Sequence, residues 1–300
     1  MDIRQLQFLI ALDETRHFGQ AAERCHVTQP TLSARLRQLE EQLGLTLVRR
    51  DQRFHSFTPE GERILAWARS LMRAHDGLLA EAAACKGQLI GTLRLGLVPL
   101  AGFNPARLLA LWQQAHPALH IQLTTLSSEQ ILDQLASNQL DLGLCFLSNI
   151  DPVAFNSLPL AHPAMGLLFD PAHFTPNQPL NWEDVAKLPL GLLSSGMHFR
   201  QAVEHALRSR GLRPSPLVET DAVQHLLQCV RQGLCCSVVP DDSGLLAGDP
   251  PLAWTPIEGS DSLAPMGLLI RRQEPPGIAA QACYTTARQL ALDPSLGRTP

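Results

Sequence analysis

Apolar residues recur every three to four positions through the first part of the chain, and this spacing predicts helices. The pattern indicates three of them, at about residues 2–14, 18–25 and 29–43. Pro30 falls in the first turn of the third helix, where its missing N–H costs little, and Gly44 ends that helix. The apolar side chains of the third helix form one narrow stripe, made of Leu32, Leu36, Leu39 and Leu43.

A tight turn at residues 26–28 joins the second and third helices, which is the arrangement of a helix-turn-helix motif. With the leucine stripe facing inward, small and polar side chains face outward: Ser33, Ala34 and Arg37, flanked by Thr31 and Arg35. Such side chains can contact base edges or phosphates of duplex DNA. The helix pair alone is equally compatible with an ordinary helical bundle.

The next segment, residues 45–58, predicts a short β-hairpin with Arg49, Arg50 and Arg53 around its tip. Beside a recognition helix, such a hairpin is a wing that places arginines on phosphates or in the minor groove. The alternative is a solvated, charged hairpin on a helical bundle. Its position directly after the helix pair favours a winged helix-turn-helix.

A long helix is predicted to follow, from Pro59 to about residue 86, with Thr58 as its N-terminal cap. A helix of this length is about 40 Å long. Its apolar stripe includes Ile64, Ala68, Leu71, Leu78 and Ala82. A second copy of the chain is the simplest partner for such a stripe, and a dimer also suits binding to two half-sites.

From residue 88 onward, short alternating runs predict strands between helices. Strands are expected at about 92–98, 119–125 and 141–146, separated by helices at 105–115 and 129–138. This β-α-β-α-β order favours a parallel sheet.

A second group of elements follows that sheet. It comprises strands at about 165–169 and 235–239 and helices at 199–210 and 222–232, and the strand-like run 265–271 returns to the first group. Two α/β lobes joined by two crossing segments enclose a cleft, and ligands favour the carboxyl ends of such strands.

The charge is divided unevenly between these two parts. The 300 residues are 45% hydrophobic and 17% charged, an ordinary globular composition with a net charge of −4. Residues 1–87 contain 12 basic and 11 acidic residues, a net of +1, whereas residues 88–300 contain 12 and 17, a net of −5. The acidity that argues against nucleic acid as a partner therefore belongs to the second part. Arginine outnumbers lysine 22 to 2, which suits bidentate contacts to phosphate or guanine but equally fits a compositional bias of the genome.

Several classes of function are disfavoured. No apolar leader and no apolar run of about 18 residues occurs, so we expect a cytoplasmic protein without a membrane span. The seven cysteines are scattered without a Cys-x-x-Cys pair, which is typical of buried thiols in a reducing compartment. The sequence has no Gly-x-Ser-x-Gly elbow, P-loop, Gly-x-Gly-x-x-Gly run or metal-type histidine spacing. We therefore expect no enzyme activity, no cofactor and no metal site.

The N-terminal part resembles the LysR-type transcriptional regulators. The resemblance rests on residues 18–33 (FGQAAERCHVTQPTLS), 36–40 (LRQLE), 47–50 (LVRR) and 58–61 (TPEG). It covers about the first 65 residues closely and the layout of the whole chain loosely. Ala34 stands where the family usually has arginine, so the base preference is expected to differ while the fold is kept.

The resemblance implies an all-α winged helix-turn-helix at 1–58, a linker and dimerisation helix at 59–87, and an α/β effector-binding domain of periplasmic-binding-protein type at 88–300. Within that domain, lobe I is expected at about 92–161 and 267–300, and lobe II at about 162–266. It further implies homodimers assembled into homotetramers, a small-molecule effector of unknown identity between the lobes, and altered access of RNA polymerase to promoter DNA.

The DNA-facing residues carried over from the family are Thr28, Gln29, Pro30, Thr31, Ser33 and Arg37, with Arg50 and Arg53 from the wing. Arg35 joins them because it flanks the outward face of the recognition helix.

The expected effector site is formed by segments that follow the strands or precede helices. It consists of Pro99, Leu100, Ala101, Phe103, Ser127, Ser128, Phe146, Ser194, Ser195, His198, Phe199, Arg200, Thr220 and Asp221. Leu100 and Ala101 lie where the family often has a serine or threonine, so the pocket is expected to be more apolar. Alternatively, Ser194, Ser195, Thr220 and Asp221 only cap helices and His198 is a solvated surface residue.

Two other functions remain as alternatives. A thiol-based redox regulator of the same family would need a reactive cysteine pair in the effector domain, whereas Cys235 and Cys236 are adjacent on a strand expected to be buried. An enzyme acting in the α/β cleft is the less favoured alternative.

Overall fold

The computed structural model describes residues 1–50, 54–84, 89–100, 102–213, 215–241, 251–260, 263–272 and 277–292. The chain divides into two compact units. The N-terminal unit comprises Met1–Gly91 with Ala136–Gln139, and the C-terminal unit comprises Thr92–Leu135 with Leu140–Pro300. The finer boundaries at residues 58 and 87, and those of the lobes, stay predictions.

The N-terminal unit has the elements that the sequence predicts. They are α1 (Ile3–Thr15), α2 (Phe18–Arg24), α3 (Gln29–Leu43), β1 (Val48–Arg50), β2 (Phe54–Phe57) and α4 (Pro59–Ala84). Asp2 and Gln5 form a capping box at the start of α1, in which each side chain accepts the other's backbone N–H. His17 caps α2 by accepting from Gly19 N at 3.1 Å.

The leucine stripe of α3 lies in the core of this unit, as predicted. Leu32, Leu36 and Leu39 are fully buried and pack with apolar residues of α1, α2 and the hairpin. Gly44 ends α3 with a φ of 67°, a left-handed conformation that glycine adopts without strain. The burial of one face fixes which side chains of α3 face outward.

The hairpin β1–β2, called the wing below, is antiparallel, with Val48 opposite Phe57 and Arg49 opposite Ser56. Thr58 joins the wing to α4. Its hydroxyl donates to Thr46 O at 2.6 Å and accepts from Gly61 N at 2.9 Å, which confirms the predicted cap.

The C-terminal unit contains two α/β lobes. Lobe I is built on a five-stranded sheet, with β3 (Gly91–Leu97), β4 (Leu119–Thr125), β5 (Leu142–Phe146), β6 (Phe155–Ala161) and β12 (Met266–Arg271) in the order β4-β3-β5-β12-β6. Its helices are α5 (Pro105–Ala115), α6 (Ser128–Ala136) and α10 (Ile278–Leu292).

Lobe II contains β7 (Met165–Phe169), β8 (Gly191–Leu193), β9 (Val218–Thr220), β10 (Ser237–Pro240) and β11 (Ala253–Pro256), with α7 (Trp182–Val185), α8 (His198–Arg208) and α9 (Val223–Arg231). Strands β10, β7 and β11 form an antiparallel sheet. Strands β8 and β9 are parallel, and a bridge between Leu190 and Cys236 links them to β10.

The predicted parallel arrangement holds for β3 and β5, where Gly96 lies opposite Gly143. The returning strand β12 is antiparallel to both β5 and β6, so the sheet is mixed. The chain passes between the lobes twice, after β6 and before β12. These passages place the loops after β3 and β5 beside the junction of the lobes.

Candidate functional site

The predicted recognition face lies on the outside of α3. Thr28, Gln29, Pro30, Thr31, Arg35 and Arg37 are exposed, and Ser33 is half-buried. Thr28 is the N-cap residue of α3 but makes no side-chain capping bond, and its hydroxyl lies 2.8 Å from that of Thr31. The start of α3 therefore offers hydroxyls and backbone N–H groups to the outside.

The two arginines of α3 differ in their surroundings. Nη1 of Arg35 lies 3.6 Å from the Asp2 carboxylate and 3.4 Å from Oε1 of Gln38. Arg37 forms no hydrogen bond or ion pair within the described residues. Arg37 is therefore the α3 cation available to an external anion without breaking a contact.

The predicted wing arginines are only partly described. Arg49 is exposed on β1, and Arg50 belongs to the same strand. The side chain of Arg50 and the whole of Arg53 lie outside the described residues.

The loop after β3 contains the first predicted effector segment. Pro99 is half-buried, Leu100 and Phe103 are buried, and Ala101 lies outside the described residues. Leu100 has a φ of 51°, which is unusual for a residue with a branched side chain.

Gly102 brings this loop against both segments near the lobe junction. A Cβ atom on Gly102 would lie 2.3 Å from Cβ of Pro163 and 3.0 Å from Cβ of Pro240. Because its φ is also 63°, only glycine fits this position without strain.

The second predicted segment lies beside the end of β3, because Leu126 N donates to Leu97 O at 2.9 Å. Ser127 caps α6, and its hydroxyl accepts from Gln130 N at 3.2 Å. The neighbouring Ser128 hydroxyl is buried and has no hydrogen-bond partner within the described chain. A buried hydroxyl without a partner is a group that a bound molecule could satisfy.

His198, the first residue of α8, forms a contact between the lobes. Its ring stacks on Phe146 at the end of β5, with centroids 4.6 Å apart and an angle of 18° between the planes. Nε2 lies 3.1 Å from the hydroxyl of Ser148, and Nδ1 is buried without a partner in the part of the chain that is described. Burial lowers the pKa of this imidazole below its usual value, so the ring is neutral at pH 7.

The rest of the third segment is arranged around α8. Ser194 is half-buried and its N–H donates to Thr220 O at 2.9 Å, whereas Ser195 is exposed. The Thr220 hydroxyl accepts from Ala222 N at 3.1 Å, which makes it a local cap, and Asp221 is exposed. Phe199 is buried in the core of the lobe.

The Arg200 guanidinium is occupied by partners within lobe II. Its Nε and Nη2 atoms each lie 2.8 Å from Glu204 Oε1, and Nη1 donates to Leu193 O at 2.9 Å and to Glu219 at 3.4 Å. The sequence suggests that Arg200 contributes its charge to the effector site. In the structure, however, two glutamates balance this charge.

Sequence reasoning missed Ser148 and the close packing of Gly102 against the two prolines. Ser148 follows β5 by two residues, so the rule that ligands bind beyond the carboxyl ends of strands would have found it. The role of Gly102 depends on two prolines distant in sequence, and no local signal identifies it.

A metal site and a membrane-spanning helix each have requirements that the described residues do not meet. No cluster of three or more His, Cys, Asp or Glu side chains that could hold a metal occurs in the described residues. None of the helices within the described ranges combines the length and the apolar character needed to cross a membrane.

Comparison with family models gives two matches that divide the chain. The family described as "Bacterial regulatory helix-turn-helix protein, lysR family" matches residues 3–62, and the "LysR substrate binding domain" matches residues 86–291.

Individual proteins agree with these matches. A hydrogen peroxide-inducible genes activator of Haemophilus influenzae is 32% identical over 71% of this chain and 68% of its own length. The DNA-binding transcriptional dual regulator OxyR of Escherichia coli is 38% identical over 53% of this chain and 52% of its own. The crystal structure of full-length CbnR with its target DNA is similar in fold, with a TM-score of 0.71 and 21% identity over 97% of this chain and 100% of that one.

Proposed function

The chain belongs to the LysR family of bacterial helix-turn-helix regulators, and from that premise we propose how it binds DNA and what controls the binding. It is a DNA-binding transcriptional regulator with an effector-binding domain, and not an enzyme. We propose that a small molecule between the lobes changes their closure, and that this change rearranges the DNA-binding units on promoter DNA.

The outward face of α3 is the proposed recognition surface. The observation that carries this proposal is the burial of Leu32, Leu36 and Leu39, because it forces the opposite face of the same helix into solvent. That face holds Thr28, Gln29, Pro30, Thr31, Ser33, Arg35 and Arg37, which we propose contact bases and phosphates. Arg50 and Arg53 of the wing are proposed to contact the backbone or minor groove.

The proposed effector site lies at the junction of the lobes, where the loop after β5 meets the start of α8 and the loop after β3 packs on Pro163 and Pro240. Its support is two polar atoms that are buried without a hydrogen-bond partner within the described residues, namely Nδ1 of His198 and the hydroxyl of Ser128. Phe103, in the loop after β3, and Phe146, at the end of β5, are both buried. An effector with an apolar body and one polar group therefore fits this site best. Its identity is not specified by these residues.

We propose that α4 pairs two copies of the chain. Trp67, Leu71, Leu78 and Leu79 are exposed large apolar side chains on this helix. We propose that a second contact, at the edge strand β4, completes a homotetramer. Strand β4 exposes Leu123, and a groove of about 550 Å³ between β4 and α5 adjoins it. RNA polymerase is a proposed functional partner through its access to the same promoter.

Footprinting with the full-length chain tests the recognition surface. Genomic fragments that bind the wild-type chain are selected first. The footprints of the wild type and of Arg37→Ala are then mapped on these fragments. We expect this variant to lose site-specific protection while remaining dimeric, because Arg37 has no partner to lose among the described residues and removal of a base contact costs about 1–3 kcal/mol. Lys187→Ala, which removes one exposed positive charge from lobe II, is the matched control. A wild-type footprint for Arg37→Ala would contradict the placement of the surface.

A thermal-shift screen of small organic acids and aromatic compounds tests the effector proposal. A ligand that binds only the folded chain raises the unfolding midpoint in proportion to RT ln(1 + [L]/Kd). A genuine effector should also change the footprint, and its shift should be lost in Phe146→Ala. Compounds that stabilise the chain without altering the footprint would contradict the allosteric link.

Peroxide sensing is a second candidate function. It is favoured by the names of the relatives from Haemophilus influenzae and related species, which are hydrogen peroxide-inducible genes activators. For this chain it would require a reactive thiol in the C-terminal unit, one that is partly in the thiolate form near pH 7.

A further inference from the structure

The carboxylate of Asp13, near the end of α1, lies between two arginines. Its side chain is only 9% exposed, and Oδ2 accepts a hydrogen bond from Nη2 of Arg69 on α4. Oδ1 lies 2.7 Å from Nη2 of Arg16, within ion-pair distance although not aligned as a hydrogen bond. A carboxylate this shielded from water needs its positive partners to offset the cost of burial. Asp13 therefore ties the end of α1 to α4.

Arg16 continues this contact to the wing. Its guanidinium carbon lies 5.7 Å from the centre of the Phe54 ring and 5.4 Å from that of Phe57. The two rings contact each other edge to face at 5.3 Å, and Phe54 contacts Phe18 of α2 in the same way at 6.3 Å. Arg16 also ends α1 in the left-handed conformation, with a φ of 52°, so its position depends on that helix.

The polypeptide itself completes a ring of contacts. Strand β2 of the wing ends at Phe57, and Thr58 caps the start of α4. Arg69 lies ten residues along α4 from Pro59, which is about 15 Å. The wing is thus attached to α4 at two separated points, covalently at Thr58 and through Arg16 and Asp13 at Arg69. A hairpin held at one end can pivot, whereas one held at two points follows the helix.

We propose that Asp13 is a positioning residue that couples the wing to α4, so that the wing's phosphate contacts depend on the Asp13–Arg69 ion pair. This inference rests on the proposed function, in which the wing touches DNA and α4 pairs two chains. Through this coupling, a change in the angle between two paired α4 helices is carried to both wings at once. The coupling gives the effector-driven rearrangement a route to the DNA that does not pass through α3.

Double-mutant cycles on operator affinity in the full-length chain test the coupling. Arg49→Ala is the wing reporter, because Arg49 is exposed on β1. In the wild-type chain we expect it to lower the slope of log affinity against log salt concentration by about 0.9 for each bound subunit, the value for one phosphate contact. In an Asp13→Asn or an Arg69→Gln background, the same substitution should lower the slope by less than about a third of that amount.

Glu14→Gln is the matched control, since it removes a negative charge from the same helix. Glu14 pairs with Arg24 of α2 at 2.7 Å, so the effect of Arg49→Ala should be unchanged in this background. An undiminished effect of Arg49→Ala in both Asp13→Asn and Arg69→Gln overturns the coupling. If Arg49→Ala has no effect in the wild-type chain, Arg49 makes no phosphate contact and the coupling is overturned, whereas the contacts proposed for Arg50 and Arg53 are not affected by that result. Should Asp13→Asn not fold, Arg69→Gln alone decides the outcome.

Discussion

Buried thiols of the C-terminal unit are held in their protonated form by their surroundings. Burial raises the pKa of Cys235 to about 11 and that of Cys145, Cys236 and Cys283 to about 12. Peroxide reacts with the thiolate, and a thiol with a pKa near 11 or 12 is almost entirely protonated at pH 7. The environment of these four residues therefore opposes peroxide sensing at them, while Cys85 lies outside the described residues.

Mass mapping after mild peroxide treatment tests this argument at the residue scale. We expect no oxidation of Cys145, Cys235, Cys236 or Cys283 in the folded chain, and rapid oxidation of the same residues after unfolding in denaturant. The unfolded sample is the control, because it removes the burial that raises the pKa. A disulfide or sulfenic acid at any of these cysteines in the folded chain would favour the redox function.

The sequence predicts exposure at single residues better than it predicts partners. Arg37 is placed correctly on the outside of α3 because helical periodicity is local information. The stacking of His198 on Phe146 joins positions 52 residues apart in different lobes, and no local pattern contains it. Arg200 is a similar case, because its partner Glu219 belongs to another element.

At the scale of elements, long periodic segments are the predictable ones. The helices α1, α3 and α4 lie within about two residues of their expected ends, because caps such as Thr58 and Gly44 are readable in sequence. Strands β8 and β9 have three residues each, which is too short for an alternating pattern to predict them. The sequence pattern also does not predict β6, β11, α7 and α10. The antiparallel direction of β12 depends on the crossing between the lobes and has no local signal.

Helix α4 exposes more apolar surface than a helix of a single chain would retain in water. Leu78 is 69% exposed and Trp67 is 70% exposed. Contiguous exposed apolar side chains on one helix typically mark an interface. The same helix carries Arg69, so a dimer contact on α4 would also set the position of the wing.

Leu78→Asp tests the dimer at this scale. Since Leu78 is largely exposed in the single chain, the substitution should leave the fold intact, yet it would bury a charge at a paired helix. We expect a monomer by light scattering and a loss of roughly 100-fold or more in affinity for a two-half-site operator, with little change for one half-site. Val153→Asp, at another exposed apolar position of the chain, should remain dimeric. A dimeric Leu78→Asp variant would contradict pairing through α4.

For the whole molecule, the division of charge makes the proposed dimer important. Residues 1–87 have a net charge of only +1, from 12 basic and 11 acidic residues, so general attraction to DNA is weak. The proposed pairing of two recognition surfaces would supply the affinity that one weakly charged surface lacks. The net charge of −5 on residues 88–300, from 12 basic and 17 acidic residues, adds no attraction to DNA.

One contact between the two lobes is titratable, the stack of His198 on Phe146 with its bond to Ser148. Burial lowers the pKa of His198 from its usual 6.5. A histidine freed from this contact therefore binds a proton more readily than the histidine in the stack. Well above pH 6.5 both forms are neutral and the contact is unaffected, whereas acid increasingly favours the separated form as the pH falls through 6.5.

Acidification should consequently weaken the C-terminal unit more in the wild-type chain than in a variant without this imidazole. Between pH 7.5 and 5.5, we expect the unfolding midpoint of the wild type to fall more than that of His198→Gln, because burial opposes protonation of this imidazole in the folded chain only. Ser148→Ala is the control, because it removes the hydrogen bond but keeps the buried imidazole, and it should retain the wild-type pH dependence. Equal pH dependence in the wild type and His198→Gln would show that the proton uptake occurs elsewhere. An effector that occupies the cleft and displaces His198 should abolish this difference in pH dependence between the wild type and His198→Gln. Such a result would link the proton and the ligand to the same contact between the lobes.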